Sequence, residues 1–285
     1  MSEAARRSIV RVPLIVAAGS RFDKYKPEQE REVRKAEVKE DKALEQLRAA
    51  WRNFGYEEGR KDWEKTNYKI ALEQVKGISC SAKDIENFCI ALAEFQDEMR
   101  FPHKAGYLLS ALINNGKDSD YVIHVQHLSQ AIWWVGYENT KNIVVNGDVG
   151  YSVGQYMKGG LITVNGNAGS QVGTTMEGGT IAVNGNAGWH VGSVMKGGTI
   201  VVDGNVGDEV GFGMEGGTIV VNGNAGRRIG EIMRGGTITV KGNAGNDVGD
   251  FMRNGEIHME GDYKGLSKII EGGKIYHKGV LIVDK

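Results

Sequence analysis

Proline is nearly missing from this chain, with three residues in 285 against forty-two glycines. That imbalance excludes a collagen-type triple helix, which needs a three-residue glycine period and abundant proline. Cysteine is as scarce. Cys80 and Cys89 are the whole complement, too few for a disulfide framework and wrongly spaced for a zinc ribbon, so they read as reduced core residues. No apolar run approaches the roughly 18 residues that span a bilayer. An excess of one charge is lacking as well. With 35 Lys and Arg against 36 Asp and Glu, the net charge is −1, which excludes a uniformly basic nucleic-acid binder and leaves local patches open. Arg6-Arg7 ahead of the apolar run 12–18 has the outline of a signal peptide, but Arg11 and Pro13 interrupt it and no cleavage pattern follows. The expected location is the cytoplasm.

What is abundant is glycine in strict order. Units of nineteen residues start at Asn142, Leu161, Thr180, Thr199, Thr218, Thr237 and Glu256 without an insertion. One unit reads Thr180-Ile-Ala-Val-Asn-Gly-Asn-Ala-Gly-Trp-His-Val-Gly-Ser-Val-Met-Lys-Gly-Gly198. Its first four residues alternate as a strand with one buried face. Asn-Gly-Asn-Ala-Gly reads as a tight corner of residues tolerant of positive φ. A valine or isoleucine then points inward, a methionine follows four residues later, and Gly-Gly turns the chain again. One unit cannot bury these side chains alone, so successive units must stack. The expected fold is a right-handed parallel β-helix of about seven coils, roughly 34 Å long at about 4.8 Å per coil.

Stacking turns equivalent residues into ladders. Asn167, Asn186, Asn205, Asn224 and Asn243 should share a corner and hydrogen-bond through their amides. The residue before the glycine pair runs Lys158, Glu177, Lys196, Glu215, Arg234, then Arg253 and Glu271. Opposite signs alternate over the first five, as in-register neighbours require. The divergent end, 274–285, should cap the open sheet.

The chain thus divides into a basic arm (1–26), a helical module (27–120) and the β-helix with its cap (121–285). In the module, Leu44, Leu47, Trp51 and Phe54 recur at helical spacing, and Gly55 and Gly59 suggest a break. Ser81 with Asp84 looks like a helix start, and Ile85, Phe88, Ile90, Leu92 and Phe95 should make that helix mostly buried. Pro102 opens another helix carrying Tyr107, Leu108, Leu109 and Leu112, which Asn114-Asn115-Gly116 should end. Residues 121–125 read as a short strand leading into the rod. The arm sets Arg6, Arg7, Arg11, Arg21, Lys24 and Lys26 against Glu3 and Asp23, suited to phosphates or acidic protein surfaces.

Two apparent motifs dissolve into the repeat, and a third fails on geometry. Gly150-Tyr151-Ser152-Val153-Gly154 matches an esterase nucleophile elbow, yet later coils place Ser-Gln, Trp-His and Asp-Glu in the same slot. Gly211-Phe212-Gly213-Met214-Glu215-Gly216 matches a dinucleotide fingerprint with no helix-forming stretch behind it. His124 and His127, three apart on a strand, would face opposite ways and suit zinc poorly; His103, His190, His258 and His277 read as structural. No catalytic residue, cofactor or metal is assigned. The slot that varies carries Trp189-His190, Asp208-Glu209, Arg227-Arg228 and Asn246-Asp247. Exposed aromatic and arginine residues on a rigid face favour partner binding, so Trp189, His190, Arg227 and Arg228 join the six basic arm residues as interface candidates.

The repeat Gly-Asn-Ala-Gly-x-x-Val-Gly-x-x-Met-x-Gly-Gly resembles the glycine-repeat β-helix domain found in two enzyme systems, over about residues 142–273. One is the glutamate synthase large subunit, where it forms the C-terminal domain; the other is formylmethanofuran dehydrogenase, where it forms a structural polypeptide of the complex. The resemblance implies a right-handed β-helix that serves as a platform without the reacting groups. Counterparts of the glutaminase nucleophile, flavin or iron–sulfur sites are missing from this sequence, and the helical half matches neither family. The expected function is a non-catalytic scaffold: an adaptor or assembly factor on a larger complex such as the ribosome, self-associating as a homo-oligomer, with no membrane contact. The alternatives are an accessory subunit of such an oxidoreductase complex and, third, a hydrolase using Ser152.

Overall fold

The computed structural model describes residues 42–59 and 62–285; the basic arm and the stretch 27–41 lie outside them. Four helices come first: α1 (Lys42–Asn53), α2 (Trp63–Val75), α3 (Ala82–Ala91) and α4 (Phe101–Asn115). α3 starts where Ser81 and Asp84 predict. Ser81 Oγ accepts from the Asp84 N–H while the Asp84 carboxylate accepts from the Ser81 N–H, a reciprocal capping box. The expectation for its apolar residues holds for Ile85 and Phe88 but not for Ile90, which is 57% exposed. The helix tightens into a 3-10 turn at Leu92–Phe95, and Leu92 and Phe95 are buried there. α4 ends at Gly116, but with φ −68° rather than in the left-handed form. Glycine is needed there for room, because a Cβ would lie 2.1 Å from the Tyr121 hydroxyl.

Strands β1 (Asp120–His124), β2 (Asn142–Asn146), β3 (Leu161–Asn165), β4 (Thr180–Val183), β5 (Thr199–Val202), β6 (Thr218–Val221), β7 (Thr237–Val240), β8 (Glu256–Met259) and β9 (Lys274–His277) follow in one sheet, each parallel to the next. Pairing is in register at the predicted spacing: Thr180 opposite Thr199, Thr199 opposite Thr218. β10 (Val280–Asp284) then folds back antiparallel on β9, which is the cap expected of the last residues. The segment read as a lead-in is itself the first rung, since Asp120 pairs with Asn142 across a longer, 22-residue coil.

The core is a set of columns. Ile181, Ile200 and Ile219 stack in one, Val172, Val191 and Val210 in a second, Met176, Met195 and Met214 in a third, all fully buried. Each such side chain contributes roughly 2 kcal/mol of apolar transfer free energy, and each column is continuous only because no coil slips.

Glycine serves the stack in two ways. At Gly192 φ is +67°, and a Cβ would stand 2.3 Å from Ile219 Cδ1, whose strand opens two units further along the chain. At Gly185, in the Asn-Gly-Asn corner, φ is not positive; a Cβ there would stand 2.6 Å from the Gly166 carbonyl oxygen below. That corner needs close backbone approach rather than the left-handed turn the sequence suggests. The asparagines bond through their amides as expected, Asn186 Nδ2 donating to Asn167 Oδ1 at 3.3 Å, but the bond that recurs along the ladder is from backbone to amide oxygen. The Asn186 backbone N–H donates to Asn167 Oδ1 at 2.9 Å, and Asn205, Asn224 and Asn243 continue the same step from side chain to next backbone.

The helices close the N-terminal end of the rod and share its core. Ser110 Oγ of α4 accepts from the Gly136 and Tyr137 N–H groups; the equivalents of Gly136 in later coils donate to the preceding coil, as Gly154 does to Val135, so Ser110 stands in for the coil that is missing there. The Trp133 N–H donates to the Pro102 carbonyl, and Gly106 sits so near Trp133 that a Cβ would fall 1.4 Å from its carbonyl oxygen. Among the described residues, no helix is long and apolar enough to cross a membrane.

Candidate interaction surface

Counting each coil from its strand-opening residue, the tenth and eleventh slots hold the variable pair. Backbone bonds fix their stacking: the His190 N–H donates to the Asp208 carbonyl, the Glu209 N–H to Arg227, and the Arg228 N–H to Asn246. Every eleventh residue is left-handed, from Ser152 (φ 62°) through His190 (59°), Glu209 (63°) and Arg228 (57°) to Asp247 (60°). Trp189, His190, Arg227 and Arg228 therefore stand on one face, as their spacing predicts. Trp189 is 54% exposed. The others are engaged laterally. Arg227 Nε and Nη2 donate to Asp208 Oδ2 at 3.1 and 2.9 Å. The Asp208 carboxyl is held below its ordinary range, first by the Arg227 backbone N–H and then by its guanidinium. His190 Nε2 meets Glu209 at 3.1 Å, and Arg228 reaches both Glu209 at 3.6 Å and Glu231 at 3.8 Å.

The sequence does not reveal that the fourteenth and fifteenth slots extend this band. The Val194 N–H donates to the Phe212 carbonyl and the Ile232 N–H to Asp250, so these columns stack as the others do. His190 touches the Phe212 ring edge-on at 5.7 Å, joining the two pairs of columns. Trp133, Trp134 and Tyr137 belong to the same columns in the first coil: the Trp134 N–H donates to the Tyr151 carbonyl, and Trp134 is left-handed at φ 56°. The signal was present, because Trp133-Trp134-Val135-Gly136 repeats the x-x-Val-Gly found at this slot in most later coils, with Ile229 replacing valine in one.

The motif residues fall in place. Ser152 is 2% exposed and its Oγ donates to Gln171 at 3.1 Å; its positive φ is that of its whole column, not a feature of one elbow. β6 follows the apparent dinucleotide fingerprint, where a helix would be required. His124 lies between Glu86 (3.2 Å) and Asn146 (3.3 Å). Among the described residues no group of three His, Cys, Asp or Glu is placed to hold a metal. Burial pushes the Cys89 thiol up to about 12, leaving it unreactive.

A recess of about 200 Å³ lies between the helices, lined by Tyr56, Glu58, Gly59, Trp63, Arg100 and His103. Glu58 is hydrogen-bonded to Arg100 and held below its ordinary range by it. Burial, with Arg100 adding to it, pushes His103 down to about 4, so its imidazole is neutral at pH 7. Burial raises the Tyr56 phenol to about 12. The recess is small, its cation is paired and its phenol is protonated, which suits packing better than proton transfer.

Fold and surface together define a parallel β-solenoid with a helical end cap and a patterned outer band. No protein-family model matches the chain, and no curated protein matches it either.

Proposed function

We propose that this protein is a non-catalytic interaction platform, an adaptor or assembly factor that presents the outer band of its rod to a larger complex. One observation carries the reading. The inward columns repeat Ile, Val and Met, while the outward tenth and eleventh slots change from coil to coil on a backbone that does not. A rigid surface with a 54% exposed Trp189, and with Arg227 and Arg228 two coils further along it, has the composition of a recognition face. The basic arm, with Arg6, Arg7, Arg11, Arg21, Lys24 and Lys26, supports an RNA-containing partner such as the ribosome. A self-associated state is part of the proposal. Untagged protein should co-purify with a defined partner set, and Trp189→Ala with Arg227→Ala should remove it while leaving the melting temperature within about 2 °C. An unchanged partner set would refute the band's role. Deleting residues 1–26 should weaken binding in a salt-dependent way where phosphates are contacted.

A second reading is favoured by the coil itself, whose nineteen-residue Gly-Asn-Ala-Gly pattern resembles the glycine-repeat domains of glutamate synthase and formylmethanofuran dehydrogenase. In that reading the protein is an accessory structural subunit of a one-carbon or glutamate-forming oxidoreductase complex. The co-purified partner separates the two, ribosomal proteins supporting the first and a molybdenum or tungsten enzyme the second. The hydrolase alternative draws no support from Ser152, which is buried and bonded to Gln171.

A further inference from the structure

The band already carries a helix. The first turns of α2 lie along the first two coils: Trp63 meets Trp134 edge-on at 5.3 Å, and Glu64 accepts from Gln155 Nε2 at 2.9 Å. Lys65 Nζ stands 5.3 Å from the Tyr156 ring centre, and Tyr68 packs on Tyr137 at 4.7 Å. Those partners occupy the eleventh, fourteenth and fifteenth slots. From Glu64 to Tyr68 the contacts step back by one coil, from Gln155 to Tyr137. One helical turn, about 5.4 Å, thus spans one coil of about 4.8 Å. Glu64 and Tyr68, four residues apart, share one face of the helix, so the match lets residues one turn apart meet successive coils.

The same columns run on past α2. In the coils from Thr180 to Phe251 they present Trp189, Val194, Phe212, Ile232 and Phe251, with Trp189 54% and Phe251 39% exposed. Thr175, Val194 and Ile232 hold φ values of 55°, 53° and 49°, a conformation that β-branched residues rarely adopt. Gly213 fills the slot between Val194 and Ile232 at φ 61°, so glycine fits there without difficulty. Outward apolar side chains are kept on this column against backbone strain. The band is also acidic. Asp208 and Arg227 offset one another, leaving Glu209, Glu231, Asp247 and Asp250 against Arg228. Glu231 Oε2 is buried with no hydrogen-bond partner, its nearest cation being Arg228 at 3.8 Å.

We infer that the band from Trp189 to Phe251 is a docking site for a basic amphipathic helix of a partner protein, seated as α2 is seated on the first two coils. The inference rests on the platform reading and names the partner's chemistry. Three coil steps of about 4.8 Å call for about ten helical residues, with apolar side chains on the Val194–Ile232–Phe251 column and a lysine or arginine completing Glu231. An RNA would meet the carboxylates with its phosphates. Two copies of the band face to face would oppose like charge to like.

The test uses the full chain and a fluorescein-labelled, twenty-residue leucine–lysine amphipathic helix, followed by anisotropy. Binding should saturate at one helix per chain. Ile232→Gly and Glu231→Gln should each weaken it about tenfold, with folding checked by melting temperature. A helix carrying glutamate in place of lysine, and polyuridylate RNA, should not bind. Unchanged affinity in both variants, or equal binding of the acidic helix or the RNA, overturns the inference. So does a dimer by light scattering that Ile232→Gly dissociates, which would assign the band to a second copy. Loss of native partners in Trp189→Ala, with peptide affinity indifferent to Ile232→Gly, would sink the helix and leave the platform standing. Retained partners with a sensitive peptide affinity would do the reverse.

Discussion

Gly192 and Gly213 share a left-handed backbone but not a surrounding, and the difference is measurable. At Gly192 an added methyl meets Ile219 Cδ1 at 2.3 Å, while at Gly213 the nearest atom is 3.7 Å away. Gly213→Ala should cost about 1 kcal/mol, the strain of a left-handed alanine. Gly192→Ala should cost about 3 kcal/mol, since overpacking adds to the same strain; chemical denaturation compares the two directly, and equal losses would contradict the stacked column. His103 offers a pH-dependent counterpart. Its folded value of about 4 lies below the usual 6.5, so the unfolded chain binds the extra proton first. The stability it contributes is complete above pH 6.5 and is lost as pH falls from there toward 4. His103→Phe should lose less stability than the parent between pH 7 and pH 4.5 in urea titrations. A parallel loss would show that the imidazole titrates normally.

At the scale of the element, the charge ladder shows what sequence spacing reveals and what it leaves out. Lys196 pairs with Glu177 at 3.8 Å, Arg234 with Glu215 at 3.7 Å, and Arg253 with Glu271 at 2.9 Å, each across one coil. Lys158 instead reaches Glu138 at 2.7 Å, in the first coil that the glycine spacing does not mark. These pairs are half-exposed, so they select register more than they stabilise it. Glu215→Lys should set four cations in a row, from Lys196 to Arg253, and cost about 1 kcal/mol at low salt, most of it recovered in 1 M NaCl; a salt-independent loss would point to packing instead. The nineteen-residue coils were legible because a strict period leaves each side chain one possible neighbour. The first coil was obscured by its longer corner and by Trp133 and Trp134 in slots that are mostly polar elsewhere. Helix starts were legible at Ser81 and Pro102, where capping chemistry is local. The exposure of Ile90 was not, since it depends on where α3 meets β1.

For the whole molecule, the consequence is a rod whose parts depend on their neighbours. The helices replace the coil that would precede β1, and β10 folds back over the other end. Gly106→Val would drive a side chain into the Trp133 carbonyl, 1.4 Å from even a first carbon. It should detach α4 and cost several kcal/mol, on the order of 3 or more. Limited proteolysis should then cut the helical half first, and uniform resistance would argue that the cap is dispensable. The candidate face was legible in its tenth and eleventh slots, where Trp189, His190, Arg227 and Arg228 vary against a constant frame. Its other half was not, because nothing in the spacing marks Val194 or Ile232 as outward and left-handed.

Central to the proposed role is that the outer columns of the coils, rather than any recess between the helices, meet the partner. Hydrogen exchange on the protein in its native complex, compared with the free chain, addresses this directly. Protection should appear over 189–194, 208–213 and 227–232, with little change around His103 and Arg100. Protection concentrated at Tyr56, Arg100 and His103, with those coil segments unaltered, would contradict it.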